Sequence, residues 1–143
     1  MLKDILNVSI YSIIGIVLML LGSFMVDLVI PCSFPEEIKK GNKSVAWVSA
    51  GAFVAIGTII KAAVASPLVL AEAVEESLGT GILSTVFYFA IGTVFLMIGY
   101  ILIKAFNRQY NLNEEIGKGN EAAGIIVFGA FVGLAILLSG VIG

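Results

Sequence analysis

Two neighbouring glutamates followed by a lone amide are the densest chemistry in the chain, and they occur twice. Residues 36–42 read EEIKKGN and residues 114–120 read EEIGKGN. Carboxylates placed this way can gather a cation, act as acid and base, or solvate a membrane edge. Glu36, Glu37 and Asn42, with Glu114, Glu115 and Asn120, are therefore the candidate site for a cytoplasmic partner or a cation. Solvation of the edge is the plainer reading and is preferred. The chain holds no histidine and one cysteine, Cys32, so the commonest metal ligands, the commonest general base and Ser-His or Cys-His pairs are missing. No catalytic constellation, metal site or cofactor site is read, and an enzyme is not expected.

The elements that position these phrases are apolar. Hydrophobic residues make up 59% of the 143 residues and charged ones 13%, with a net charge of -2. That is more apolar surface than a soluble domain of this size can hide, and there is no basic surface for nucleic acid. Runs without charge, such as 5–26, 44–60, 77–103 and 122–143, approach the ~20 residues that cross a bilayer core. The first run is longer than a signal-peptide core and reads as a retained helix. The spans expected are 8–30, 44–65, 80–104 and 121–142.

Sliding the chain on itself by 78 residues superposes the two polar phrases and then GAFV at 51–54 on GAFV at 129–132; a shift of 77 pairs Gly15 with Gly92 and Gly22 with Gly99. The fold class expected is an all-α membrane protein: four transmembrane helices as a tandem parallel duplication of a two-helix unit, with short interfacial helices. It forms a single membrane domain over 1–143, with repeat 1 at about 1–66, an outer connection at about 67–79 and repeat 2 at about 80–143. Two crossings per unit bring both phrases to one face, related by a pseudo-twofold axis along the membrane normal. Six of the eight basic residues, Lys39, Lys40, Lys43, Lys104, Arg108 and Lys118, flank the phrases, against Lys3 and Lys61 on the other side. By the positive-inside rule loops 31–43 and 105–120 are cytoplasmic and both termini are outside.

Each phrase reads as a corner. Ser33 with Glu36, and Asn111 with Glu114, have capping-box spacing. Gly41 and Gly119 stop the short helix, and Asn42 and Asn120 cap the long one that follows. Ile38 and Ile116 are expected to face the bilayer. Ser66-Pro67 and Gly79 bound an expected outer interfacial helix carrying Leu70, Val74 and Leu78. An E-I-x-x-G-N phrase leading twice into an Ala/Gly-rich helix across four spans resembles the uncharacterised bacterial membrane proteins grouped as domain of unknown function number 350. The resemblance covers essentially the whole chain and implies a multi-pass protein of the bacterial cytoplasmic membrane, with no established activity or cofactor. Ser44 stands at the position of Ala122, a small-for-small departure.

Small residues at helical spacing, Gly51 and Ala55 aligned with Gly129 and Gly133, and Gly15 and Gly22 with Gly92 and Gly99, predict close helix packing inside the chain or between subunits of a homo-oligomer. Asp27 and Lys104 align with each other and are expected to pair across the axis. Lys61, late in its span, is read as snorkelling to the outer interface. The leading reading is a structural or assembly subunit, embedded in the lipid bilayer, that oligomerises and offers its paired corners to a cytoplasmic or membrane protein. The alternative is a channel or small-solute pathway in an oligomer, with the glutamates at its inner mouth. In a Cys32→Ser background, cysteines placed at Lys39 and at Lys118 should both resist an impermeant maleimide on whole cells and both react once the membrane is opened. Labelling of one alone from outside contradicts the parallel duplication.

Overall fold

The computed structural model describes residues 1–66 and 77–143. The described residues form six helices in chain order: α1 (Leu2–Val29), α2 (Phe34–Lys39), α3 (Lys43–Ala65), α4 (Leu78–Phe106), α5 (Leu112–Gly117) and α6 (Glu121–Ile142). α1, α3, α4 and α6 are long and apolar enough to cross a membrane. α2 and α5 are the short helices of the two corners. The long helices match the expected spans, except that α1 begins at Leu2 rather than near residue 8.

The outer connection departs from expectation where it can be followed. Gly79 is no stop: it lies in the first turn of α4, which starts with a reciprocal capping box between Ser77 and Thr80. The S-x-x-T spacing, with threonine in place of the usual acid or amide, carries that signal. Ser66 ends α3. Leu70 and Val74 lie outside the described residues.

α3 is the centre of the molecule. Its buried residues, among them Gly51, Ala55, Ile56 and Ile60, cover more than one face, because α1, α4 and α6 all pack on it. α3 and α6 both leave the corners in the same direction and approach backbone to backbone. A Cβ on Gly51 would stand 2.8 Å from Phe128 Cα, and one on Gly124 would stand 2.7 Å from Ser44 Cα. Inside each repeat the packing is equivalent. Gly22 of α1 receives Ile56 of α3, and Gly99 of α4 receives Leu134 of α6, the same pair after shifts of 77 and 78.

Between the repeats it is not reciprocal. Gly51 packs on Phe128, but its twin Gly129, like Gly133, has nothing within 4 Å. Ala55 is buried. The close packing expected of Gly129 and Gly133 is thus not made inside this chain, and the expected twofold relation fails with it, since a twofold makes each contact twice. The same asymmetry undoes the Asp27–Lys104 pair, which is not among the ion pairs of the described residues. α1 meets α4 with Tyr11 against Gly81 and Gly22 beside Phe89. That register sets Lys104 roughly 15 Å of helix rise beyond the level of Asp27.

The glycines separate by this geometry. Gly124→Ala should destabilise the fold by about 1–3 kcal/mol, because the methyl must push two backbones apart. For the chain dispersed as a monomer, Gly129→Ala should be neutral or slightly stabilising, within about 1 kcal/mol, by removing glycine from a helix interior. Thermal unfolding in detergent compares the two.

Candidate functional site

At each corner the backbone turns twice within three residues. The short helix ends where Gly41 and Gly119 take positive φ, 80° and 82°, a conformation that glycine reaches without a Cβ clash. The next residue, asparagine, begins the long helix. Asn42 Oδ1 accepts from Val45 N–H at 3.2 Å, and Asn120 Oδ1 accepts from Ala122 N–H at 3.2 Å. These caps occupy donors that would otherwise be unsatisfied near lipid. The short helices lack the expected counterpart: Ser33 and Asn111 hold the N-cap positions but accept no side-chain cap bond. In α2 the reason includes Pro35, which removes one of the N–H groups a cap would bind.

The glutamates complete the asparagines. Asn42 Nδ2 donates to Glu37 Oε2 at 2.9 Å, and Asn120 Nδ2 donates to Glu115 Oε2 at 2.7 Å. The invariant spacing from the second glutamate to the asparagine is therefore a clamp, in which the carboxylate orients the amide so that its oxygen faces the helix start. Lysines close the other side, with Lys40 2.9 Å from Glu37 and Lys118 2.6 Å from Glu114 and 3.7 Å from Glu115. The hydrogen bond from Asn42, and next that from Lys40, hold the Glu37 carboxyl below its ordinary 4.5. The bond from Lys118 lowers Glu114 in the same way. The structure brings Glu37 to Asn42 and Glu115 to Asn120, but among the described residues no three acidic side chains come together in a group that could hold a metal ion; Glu36 is exposed on the surface of α2.

The two corners touch. Asn42 Nδ2 also donates to the Ile116 carbonyl at 3.0 Å, and Gly119 lies beside Asn42 Oδ1. Together they line a shallow open cleft with Lys40, Lys43 and Lys118 at its rim. Ile116 is 0% exposed, where a bilayer-facing side chain was expected, because α5 packs on α3 as well as α6. Ile38, its twin, is 49% exposed. Tyr100 anchors α5 from α4 by donating to Asn113 Oδ1 at 2.7 Å. Sequence reasoning missed a second bridge, in which Trp47 Nε1 donates to Glu121 Oε1 at 3.2 Å with Lys43 4.0 Å from the same carboxylate. Lys43 and Glu121 are the first residues after the two asparagines, and their opposite charges at equivalent positions were the available signal. Cys32 lies in the turn after α1, its thiol pushed up by burial first and then by the charges of Glu37 and Asp27. It stays a neutral thiol at neutral pH, a poor nucleophile.

The family described as Domain of Unknown Function (DUF350) matches the chain twice, over residues 1–75 and 77–143. The chain belongs to this family. Each match contains one glutamate–asparagine clamp. The chain is similar to a UPF0719 transmembrane protein of Aquifex aeolicus (strain VF5), 24% identical over 94% of this chain and 48% of that protein. It is similar also to the UPF0719 transmembrane protein YshE of Bacillus subtilis (strain 168), 23% identical over 96% of this chain and 93% of that one. It thus spans about half the length of the Aquifex relative. No solved structure matches. This DUF350 chain is an integral, multi-pass membrane protein.

The clamps are unequal, which gives a direct test. Asn42→Ala should cost about 2 kcal/mol, a cap plus a hydrogen bond to the neighbouring corner, whereas Asn120→Ala should cost about 1 kcal/mol. Because the folded-state pKa of Glu37 is depressed, the clamp's electrostatic contribution is complete above the ordinary 4.5 and is lost as the pH falls through the lower folded value. The gap in melting temperature between the wild type and Asn42→Ala should therefore narrow in acid.

Proposed function

We propose that this chain is a structural or assembly subunit of the bacterial cytoplasmic membrane, which associates with copies of itself and presents its two corners side by side to a partner protein. Loops 31–43 and 105–120 face the cytoplasm in this reading, on the strength of the six-to-two distribution of basic residues. The observation that supports it most is the self-sufficiency of the corners. Glu37 and Glu115 are engaged by the amide and lysine of their own corner, so these oxygens are already committed to holding backbone in place. A cation pathway uses carboxylates whose lone pairs are open to the ion. Here they fix a rigid surface on which Glu36 and Lys39 stand exposed.

The apolar spans agree with this reading. Of the hydroxyls near their centres, Thr58 donates to its own helix at the Val54 carbonyl, 2.8 Å away. Ser84, nearer the outer end, donates to the Ser66 carbonyl at 2.6 Å. Coupled transport usually places an ionisable group at that depth. An enzymatic role has little support, given carboxylates already paired and a neutral Cys32 thiol.

Purified protein in proteoliposomes tests the reading. The expected result is a membrane as tight to Na⁺, K⁺ and H⁺ as protein-free liposomes, together with a partner that copurifies from native membranes and is lost on Glu36→Lys and Glu114→Lys substitution. Ion flux that disappears in Glu37→Gln/Glu115→Gln protein would overturn it in favour of a channel.

A further inference from the structure

We infer that copies of this chain join head to tail, the bare face of α6 in one copy seating against α1, α2 and α3 of the next, through the same surfaces that join repeat 1 to repeat 2 inside one chain. The inference deepens the self-association proposed above and rests on it.

Its basis is the one-way contact between repeats. Repeat 1 offers one face of α3 to repeat 2: Gly51 packs on Phe128 of α6, and Ile59 packs on Gly92 of α4. At the corner Asn42 donates to the Ile116 carbonyl. Repeat 2 carries the same face at the equivalent positions, and nothing among the described residues covers it. Ile59 is 0% exposed while its twin Leu137 is 61% exposed. Val48 and Ala63 are buried while Ile126 and Val141 are bare. Gly129 has open space where Gly51 has a backbone, and Asn120 Nδ2 donates to Glu115 with no bond to a second corner.

The receiving surface is spare as well, on the other side of the molecule. Phe128, Gly92 and Ile116 receive repeat 1; their twins are Ala50, Gly15 and Ile38. Ala50 and Ile38 are exposed, whereas Ile116 is wholly buried. A second copy therefore has on its α1–α2–α3 side the counterpart of what α6 of the first lacks: Gly15 to accept Leu137, and the Ile38 carbonyl to accept the second amide hydrogen of Asn120. Contacts between two different faces that repeat in one direction are heterologous, and they propagate to a ring or a filament. α3 and α6 run parallel, so the rotation axis lies along the helices and every copy keeps the same orientation in the bilayer. The second junction is not an exact replica. Gly124, which admits the Ser44 backbone, is replaced in repeat 1 by Ala46, so the copies stand slightly further apart at the corner end. The smaller Ala50 in place of Phe128 leaves room beside it.

Cross-linking of the full chain tests this. In a Cys32→Ser background, Gly15→Cys and Leu137→Cys are made singly and together, and native membranes are oxidised. Within one chain the two are not neighbours, since Gly15 meets Ile60 and Leu137 is exposed. Both sites have room for the new side chain, and unchanged melting temperatures check that the variants fold. The double variant should form a ladder of dimers, trimers and larger species. Each single variant should remain monomeric, and coexpressed single variants should stop at dimers. Self-linking of either single variant as efficient as that of the pair would overturn the proposal, because it means a symmetric face-to-face contact. Oligomers of the wild type in native lipid discs without any 15–137 link would also overturn it while leaving the assembly reading intact. A wild type that is monomeric in those discs by native mass spectrometry would remove the self-association itself.

Discussion

The backbone approach of α3 and α6 is the constraint on which the other features depend. Two helices that run parallel at contact distance bring their N-termini together, and with them two sets of unpaired N–H groups and two partial positive charges. The corner chemistry is the answer to that arrangement. Each asparagine caps its helix, each glutamate behind it places a negative charge beside the N-terminus, and Glu121 at the start of α6 adds another within reach of Trp47 and Lys43. Glycine at positions 51 and 124 makes the approach possible, since a Cβ at either would enter the facing backbone.

This also explains why so apolar a chain writes one polar phrase twice. The phrase is a device for re-entering the bilayer: a short helix to lie at the edge, a glycine to reverse, an amide to satisfy the next helix, and a carboxylate to orient the amide. Each part is needed because lipid offers no substitute hydrogen-bond partner. The lysines between them keep the edge soluble and balance the carboxylates, which is why the same residues that look like a cation site are largely consumed in holding the backbone.

The two repeats share their internal packing but not their surroundings. Ile116 and Ile38 occupy the same place in the phrase, and one is sealed beneath α3 while the other is half exposed. Val48 and Ile126 differ in the same sense. Such pairs show how identical local sequence acquires different burial when a unit has a neighbour on only one side, a familiar consequence of stacking repeats end to end.

The amino-acid sequence by itself determined the four spans, the two corners, the glycines that reverse them and the asparagines that restart the helices. These depend on hydropathy, local dihedral freedom and hydrogen bonds over a few residues, all readable from composition and spacing. Close packing at Gly22, Gly51, Gly92 and Gly99 was legible for the same reason, since small residues four or seven apart share a helix face. What it left open was which of two equivalent faces would be covered. Gly51 and Gly129 sit in the same GAFV phrase, and Asp27 and Lys104 in the same register; neither local sequence says that the repeats meet through unlike surfaces. Only the tertiary structure decided that, because the choice between reciprocal and one-way packing belongs to the fit of whole helix surfaces. Where the equivalent faces differ, as in Gly124 against Ala46 and Phe128 against Ala50, the fit is visible only when the backbones are brought together.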